Sequence, residues 1–333
     1  MVWSELSAKD KESIKARYVL GEPVDDIAKD FQLKPQSLAR KMRKIGIKRE
    51  VIAEEKGEKD KYKFVLSGGE RYYERRLDIY AQETVSFVVI SDTHFGSENK
   101  IALDATIRSL PNLKFDFMVH AGDALDLYGL SKYGKDHDGI FNRNLGSELD
   151  AWFAFNSDLE EITDVDKYIL GGNHIRRYYA WLDQNPGVHG VENMELDHLM
   201  NLESFGYAPM VNEIFFNPTG SSDFPDPGII IHHGTLSRKH AGSSSRGESE
   251  KLGVVNSISG HVHRLAVNYR RTIRGIATTV EAGCLCNLNP EYMDYPDWTH
   301  GFIHCTFNPS TNFLSAIPYS IFNGIVYKDG MEM

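Results

Sequence analysis

The sequence predicts an α/β fold with a small all-α domain in front of it, and three observations carry that reading. Five short apolar runs each break into Asp, Asn, Gly or His, as buried strands do where they leave a sheet. Their exits lie 28 to 60 residues apart, room for a helix or an insertion at each crossover of a βαβ layout. The first 49 residues instead repeat their apolar positions every three to four residues, the helical period.

Composition narrows the classes. The 333 residues carry 37 Lys and Arg against 47 Asp and Glu, a formal charge of −10, which excludes a uniformly basic nucleic-acid coat. Three cysteines, two of them in Cys284-x-Cys286, form neither an even disulfide framework nor a zinc-ribbon spacing and fit a reducing compartment. There is no apolar run of about 18 residues and no hydrophobic signal core at the start, so the expectation is a cytoplasmic enzyme or regulator with no membrane partner.

Charge is divided between the two regions. Residues 1–63 hold 16 basic and 12 acidic residues, and the stretch from Lys34 to Arg49 holds seven basic residues and no acid, a local asymmetry that fits a polyanion or a solvated helix face. A first helix should start near Ser7, bury Leu6, Ile14, Tyr18 and Val19, and stop at Gly21. Pro23 can open a second helix with Val24, Ile27, Ala28 and Phe31, and Pro35 a third with Leu38, Met42 and Ile45. The segment PVDDIAKDFQLKPQSLARKMRKIGIKR resembles helix-turn-helix domains of bacterial and bacteriophage DNA-binding proteins over residues 5–49. That resemblance makes Lys34, Arg40, Lys41, Arg43 and Lys44 the candidate nucleic-acid contacts; a three-helix docking or oligomerisation module is the competing use. Domain 1–50 is thus followed by a linker and lead-in segment, 51–83, in which residues 64–83 fit either a helix or a peripheral strand, and by a catalytic domain, 84–333.

The apolar runs of that domain end in chemistry. VSFVVISDTHFG from Val85 delivers Asp92 and His94, which on an extended backbone would face one side and share a metal ion. FDFMVHAGDALD delivers Gly122-Asp123, KYILGGNHIRR delivers Asn173-His174, GIIIHHG delivers His232-His233, and VVNSISGHVH delivers His261-x-His263. Ligands converging from several strand ends onto one crevice is where α/β sheets place their sites. Alternation lets only one of His232 and His233 face that crevice. Asp126 is expected mainly to cap the following helix, with a hydrogen bond to a ligand or to His174 as the alternative, while His120 and the three cysteines are expected to be structural.

The order Asp92-x-His94, Gly122-Asp123-x-x-Asp126, Gly172-Asn173-His174, His233-Gly234, Gly260-His261-x-His263 resembles the calcineurin-like metallophosphoesterase superfamily, across residues 85–264. The resemblance implies a four-layer α/β/β/α sandwich and two divalent metal ions. Asp92, His94 and His263 would bind the first ion, Asn173, His233 and His261 the second, and Asp123 would bridge them. The mixed oxygen and nitrogen donors suit manganese, with iron, zinc or nickel as alternatives, better than calcium. Such a pair polarises a phosphoryl group and stabilises in-line displacement. His174 would then stand beside the leaving group as the catalytic acid, although Ile175 occupies the position where many relatives carry the acid that would orient it.

The substrate must be read from the surroundings. Arg176, Arg177 and Arg264 are the candidate substrate contacts, the first two for a bidentate phosphate clamp. The Gly/Ser-rich stretch Gly234 to Gly247, with Arg238, Lys239 and Arg246, reads as a mobile basic loop. The leading expectation is a metal-dependent phosphodiesterase on nucleic acid, a DNA nuclease or end-processing enzyme with the N-terminal domain as tether. Its combination of domains also resembles bacteriophage-encoded phosphoesterases, which would place it in a bacterial host cytoplasm. The alternative is a small-molecule or cyclic-nucleotide phosphodiesterase or phosphomonoesterase whose N-terminal domain serves assembly, as in a homo-oligomer.

Overall fold

The computed structural model describes residues 6–19, 24–33, 38, 41–42, 61–69, 71–131, 144–188, 191, 194–216, 228–253, 256–273, 275–290 and 293–333. The chain divides into two compact units, Met1–Asp60 and Lys61–Met333. In the first, helices α1 (Ala8–Val19) and α2 (Val24–Asp30) bury Ile14, Tyr18, Ile27 and Ala28 against Leu6, Leu38 and Met42, the stripe that the helical period marks. The Ser7 hydroxyl accepts the Asp10 N–H at 3.1 Å and so caps α1. Arg17 on α1 pairs with Asp30 at the end of α2 at 2.8 Å. Lys41 is half-buried in this unit. Lys34, Arg40, Arg43 and Lys44, most of the third helix and the linker 51–60 lie outside the described residues.

The second unit is a two-sheet sandwich. Its strands are β1 (Tyr62–Ser67), β2 (Arg76–Ala81), β3 (Val85–Ile90), β4 (Phe117–His120), β5 (Asp166–Ile169), β6 (Glu213–Phe216) and β7 (Ile229–His232). They are followed by β8 (Asn256–Ser259), β9 (Leu265–Thr272), β10 (Gly275–Ala282), β11 (Gly301–Asn308), β12 (Phe313–Phe322), β13 (Ile325–Lys328) and β14 (Met331–Glu332). Its helices are α3 (Lys100–Ser109), α4 (Leu145–Ile162), α5 (Ile175–Gln184), α6 (Leu196–Leu199) and α7 (Ser243–Leu252). One sheet has the order β1-β2-β6-β7-β8-β10-β9, the other β14-β13-β12-β11-β3-β4-β5. The lead-in segment therefore belongs to this unit: β1 and β2 pair antiparallel from Tyr62 with Ala81 to Ser67 with Arg76, at one edge of the first sheet.

Alternation along β3 explains its unbroken apolar sequence. Val85, Phe87 and Val89 point between the sheets and meet Ile214, Phe216, Ile231 and Val280, whereas Val88 and Ile90 join the layer under α3, α4 and α5. The outer face of the other sheet carries α7 on β8 and β10. The layering is thus helix, sheet, sheet, helix. The five runs singled out in the sequence are β3, β4 and β5, mutually parallel in one sheet, and β7 and β8, parallel in the other. All five end at the same end of the sandwich. Among the described residues no helix is long and apolar enough to cross a membrane.

Candidate metal centre

The strand exits bring seven side chains into two groups. In the first, His263 Nε2 lies 3.1 Å from Asp92 Oδ1 and 3.1 Å from His94 Nε2. In the second, His233 Nε2 lies 3.0 Å from Asp123 Oδ2 and 3.1 Å from Asn173 Oδ1, and His261 Nδ1 lies 2.9 Å from the same Asn173 oxygen. Spacings near 3 Å are the edges of a polyhedron whose metal bonds are about 2.0–2.2 Å long, so the donors fit the ions. Asp123 joins the groups: its donor oxygen lies within 4.8 Å of those of Asp92 and His233, and likewise of those of His94 and His174.

The atoms that face away are already occupied. Asp92 Oδ2 accepts from the Ser91 hydroxyl and from the His261 N–H at 3.0 Å, which leaves Oδ1 for the cluster. Asp123 Oδ1 accepts the His174 N–H at 2.9 Å, which leaves Oδ2. His233 Nδ1 donates to the Ala121 carbonyl at 3.0 Å and keeps the Nε2 lone pair inward. The neighbouring carboxylates outweigh burial and raise His233 and His263 to about 9, while those imidazoles hold Asp92 and Asp123 well below the usual carboxylate range. Cations that bind here must displace these protons.

The local backbone departs from the extended geometry expected for Asp92 and His94. Asp92, His94, Asp123, His261 and His263 all have positive φ, between 45° and 71°. The chain turns sharply at each exit, and this left-handed turning, rather than strand alternation, aims the ligands inward. Gly172 is needed for close approach, because a Cβ there would overlap the Asp123 carboxylate.

His174 sits 4.0 Å from Asp123 Oδ2, and its ring is oriented although Ile175 is not an acid. Asp126 does this: its Oδ1 is 3.0 Å and its carbonyl 2.8 Å from His174 Nδ1. The capping role expected for Asp126 gives way to one at the site, and its other oxygen accepts from the Ser97 hydroxyl at 2.7 Å. Two acceptors at Nδ1 place the proton there, so Nε2 accepts from Arg177 Nη2 at 3.0 Å. Arg177 thus stands at the centre, its Nη1 also donating to the Asp126 carbonyl at 2.7 Å. Arg176 is exposed and pairs with Tyr72, whose hydroxyl donates to the Gly172 carbonyl at 3.2 Å.

Three expectations are corrected by position. Arg264, expected at the substrate, is buried: it donates to the carbonyls of Arg238 and Lys239 at 2.7 and 3.3 Å and pairs with Asp297 at 3.1 Å. Its donors are used inside the protein rather than in the crevice. The stretch Gly234 to Gly247 is no free loop, since Ser243 starts α7. Glu248 accepts the N–H groups of Thr235 and Leu236, while Glu281 accepts those of Gly242, Ser244 and Ser245 at 2.8 to 3.2 Å. Cys286 is not remote from the chemistry: its Sγ lies 3.8 Å from His263 Nδ1. No spacing in the sequence signals that contact, nor that of Trp298, whose ring centre is 4.1 Å from the His263 ring. By contrast His120 and His232 are buried, and burial lowers both to about 4, so they are neutral core residues.

The profile of the calcineurin-like phosphoesterase family matches residues 85–265. The Gene 54 protein of Mycobacterium phage D29 is 24% identical over 230 residues, covering 65% of this chain and 86% of that protein. Solved structures that it resembles include Vps29 of Cryptosporidium parvum, with 14% identity and a TM-score of 0.40 over 76% of this chain and 99% of that one. Wild-type Vps29 of Entamoeba histolytica complexed with zinc has 12% identity and a TM-score of 0.36 over 74% and 98%.

Proposed function

The chain belongs to the calcineurin-like phosphoesterase family, and from that premise we propose that it is a two-metal phosphodiesterase whose substrate is nucleic acid, DNA before RNA. Phosphoester hydrolysis with divalent metals is the activity of the family; the carrying observation for two ions in this chain is Asp123, which reaches both donor groups. Asp92, His94 and His263 would hold one ion and Asn173, His233 and His261 the other, with Asp123 available to both. Manganese is the proposed metal, with iron, zinc or nickel compatible with the same donors. When bound, the ions supply Lewis-acid polarisation of the phosphoryl group.

The remaining groups act on the ends of the reaction. His174 carries its proton on Nδ1, so Nε2 is open to take a proton and pass it to the leaving oxygen. Asp126 stabilises the imidazolium in between. Arg177, within hydrogen-bond reach of that Nε2, can turn to a non-bridging phosphate oxygen. Support for nucleic acid comes from the helix-turn-helix resemblance of residues 5–49, the run of seven basic residues from Lys34 to Arg49, and exposed Arg238 and Lys239 within the otherwise acidic second unit. The similarity to a phage protein supports work in a bacterial cytoplasm.

The test is hydrolysis of labelled single- and double-stranded DNA beside bis(p-nitrophenyl) phosphate and p-nitrophenyl phosphate, with Mn²⁺ and after chelation. Asp123→Ala is the blank. Metal-dependent DNA cleavage that the variant lacks is the expected result. Turnover of the small esters with intact DNA would overturn the nucleic-acid assignment in favour of a nucleotide or metabolite phosphoesterase, and an active Asp123→Ala would overturn the bridge.

A further inference from the structure

The loop between β10 and β11 ends beside the metal centre and presents aromatic rings there. Trp298 is half-buried and meets the His263 ring edge to face, with centroids 4.1 Å apart and planes at 66°. Three residues earlier Tyr295 is wholly exposed, at 100%, and is held at φ 49°, a left-handed conformation that a bulky residue rarely adopts. Three residues of chain span at most about 10 Å, so Tyr295 lies within that distance of Trp298.

The loop is tied down on both sides of these rings. The Thr299 N–H donates to the His263 carbonyl at 2.8 Å, and the Cys284 N–H to the Thr299 carbonyl at 3.2 Å. Asp297 pairs with Arg264 at 3.1 Å, and the same guanidinium donates to the carbonyls of Arg238 and Lys239. Arg264 therefore staples the aromatic loop to a loop whose Lys239 side chain is exposed, while the Arg238 guanidinium lies on Gly247 of α7. An exposed cation on one loop and an exposed and a half-buried ring on the other, both loops fixed to the turn that carries His261 and His263, are the parts of a single-strand platform: charge for the phosphates and π-faces for the bases.

We propose that Tyr295 and Trp298 form a shelf that stacks an unpaired nucleobase flanking the scissile phosphate, with Lys239 along the adjoining backbone. This rests on the phosphodiesterase reading above and names the substrate end that it leaves open. A base in a duplex has both faces covered by its neighbours, so the shelf selects single strands, frayed ends or nucleotide esters over intact duplex.

The test compares two esters with one leaving group, thymidine 5′-(p-nitrophenyl phosphate) and methyl p-nitrophenyl phosphate. The ratio of their kcat/KM values should fall ~10-fold in Tyr295→Ala, in line with base stacking on single aromatic residues, and mainly through KM. Phe322→Ala, which removes another exposed ring, on β12, should leave the ratio as it is. An unchanged ratio in both Tyr295→Ala and Trp298→Phe, with the wild type turning over both esters, overturns the shelf and leaves the phosphoesterase reading standing. Should the wild type cleave neither ester, that reading fails, and the shelf is judged by binding. The affinity of the full chain for a short oligothymidylate over its abasic counterpart should then drop in Tyr295→Ala, and an equal preference in both proteins overturns it.

Discussion

Asp126 shows how one carboxylate takes over a neighbour's task. With Ile175 in the usual place of the orienting acid, the imidazole of His174 is held from the loop that follows β4 instead, by an oxygen three residues from Asp123. His174→Ala should therefore slow turnover by roughly 10²-fold or more while metal content, read by atomic absorption, stays that of the wild type. Loss of metal would mean that the ring is a ligand. Gly172→Ala, which adds a single methyl, should do the opposite, since that methyl displaces the Asp123 carboxylate; metal content and turnover should fall together. The seven donors were legible because each terminates an apolar run, a one-dimensional signal. Asp126 was legible only in part, its contact with His174 standing second to a helix cap. The contacts of Cys286 and Trp298 with His263 were not, because these residues lie 23 and 35 positions from it and no local pattern encodes such pairings.

Elements behave in the same way. Helix α4 contributes Glu148, fully buried under the loop after Asp126, where it accepts the Leu127 and Tyr128 N–H groups at 2.7 and 3.2 Å. Burial outweighs those bonds and pushes its carboxyl up to about 8 from an ordinary 4.5. Between those values the folded chain keeps a proton that the unfolded chain releases, so this group makes stability fall as pH rises from about 4.5 to about 8. Glu148→Gln should flatten that slope in denaturant titrations across the window, and an unaltered slope would assign it to other groups. On the opposite face, Glu281 anchors the start of α7 and stands 3.5 Å from Arg264. Glu281→Ala should cost roughly 3 kcal/mol or more, since it leaves three buried N–H groups without their acceptor at about 1–3 kcal/mol each. Here the sequence misled for a physical reason. Gly and Ser in 234–247 look like a linker, yet Ser244, Ser245 and Ser249 are buried on α7, and Gly247 is small because the Arg238 guanidinium lies against it.

At the scale of the molecule, the two units carry charges of opposite sign, about +2 over residues 1–60 and −12 over residues 61–333. If the first is a tether, deleting residues 1–50 should weaken activity on long DNA much more than on bis(p-nitrophenyl) phosphate, and the salt dependence of DNA binding should become shallower. Equal losses on both substrates would sink the tether. The α/β class was readable from the run spacing and the sandwich only from the family resemblance, but the order of strands in each sheet was in neither, since β6 and β11 carry no motif. The left-handed ligands have a further consequence for how this protein could change. Five positions where the backbone favours glycine hold chelating side chains instead, each at a cost of roughly 1–2 kcal/mol. Heat tolerance and metal chemistry therefore pull against one another at these residues. Asp123→Gly should melt above Asp123→Ala in calorimetry, and a hunt for hardier variants that screens only for folding would erase the enzyme one ligand at a time.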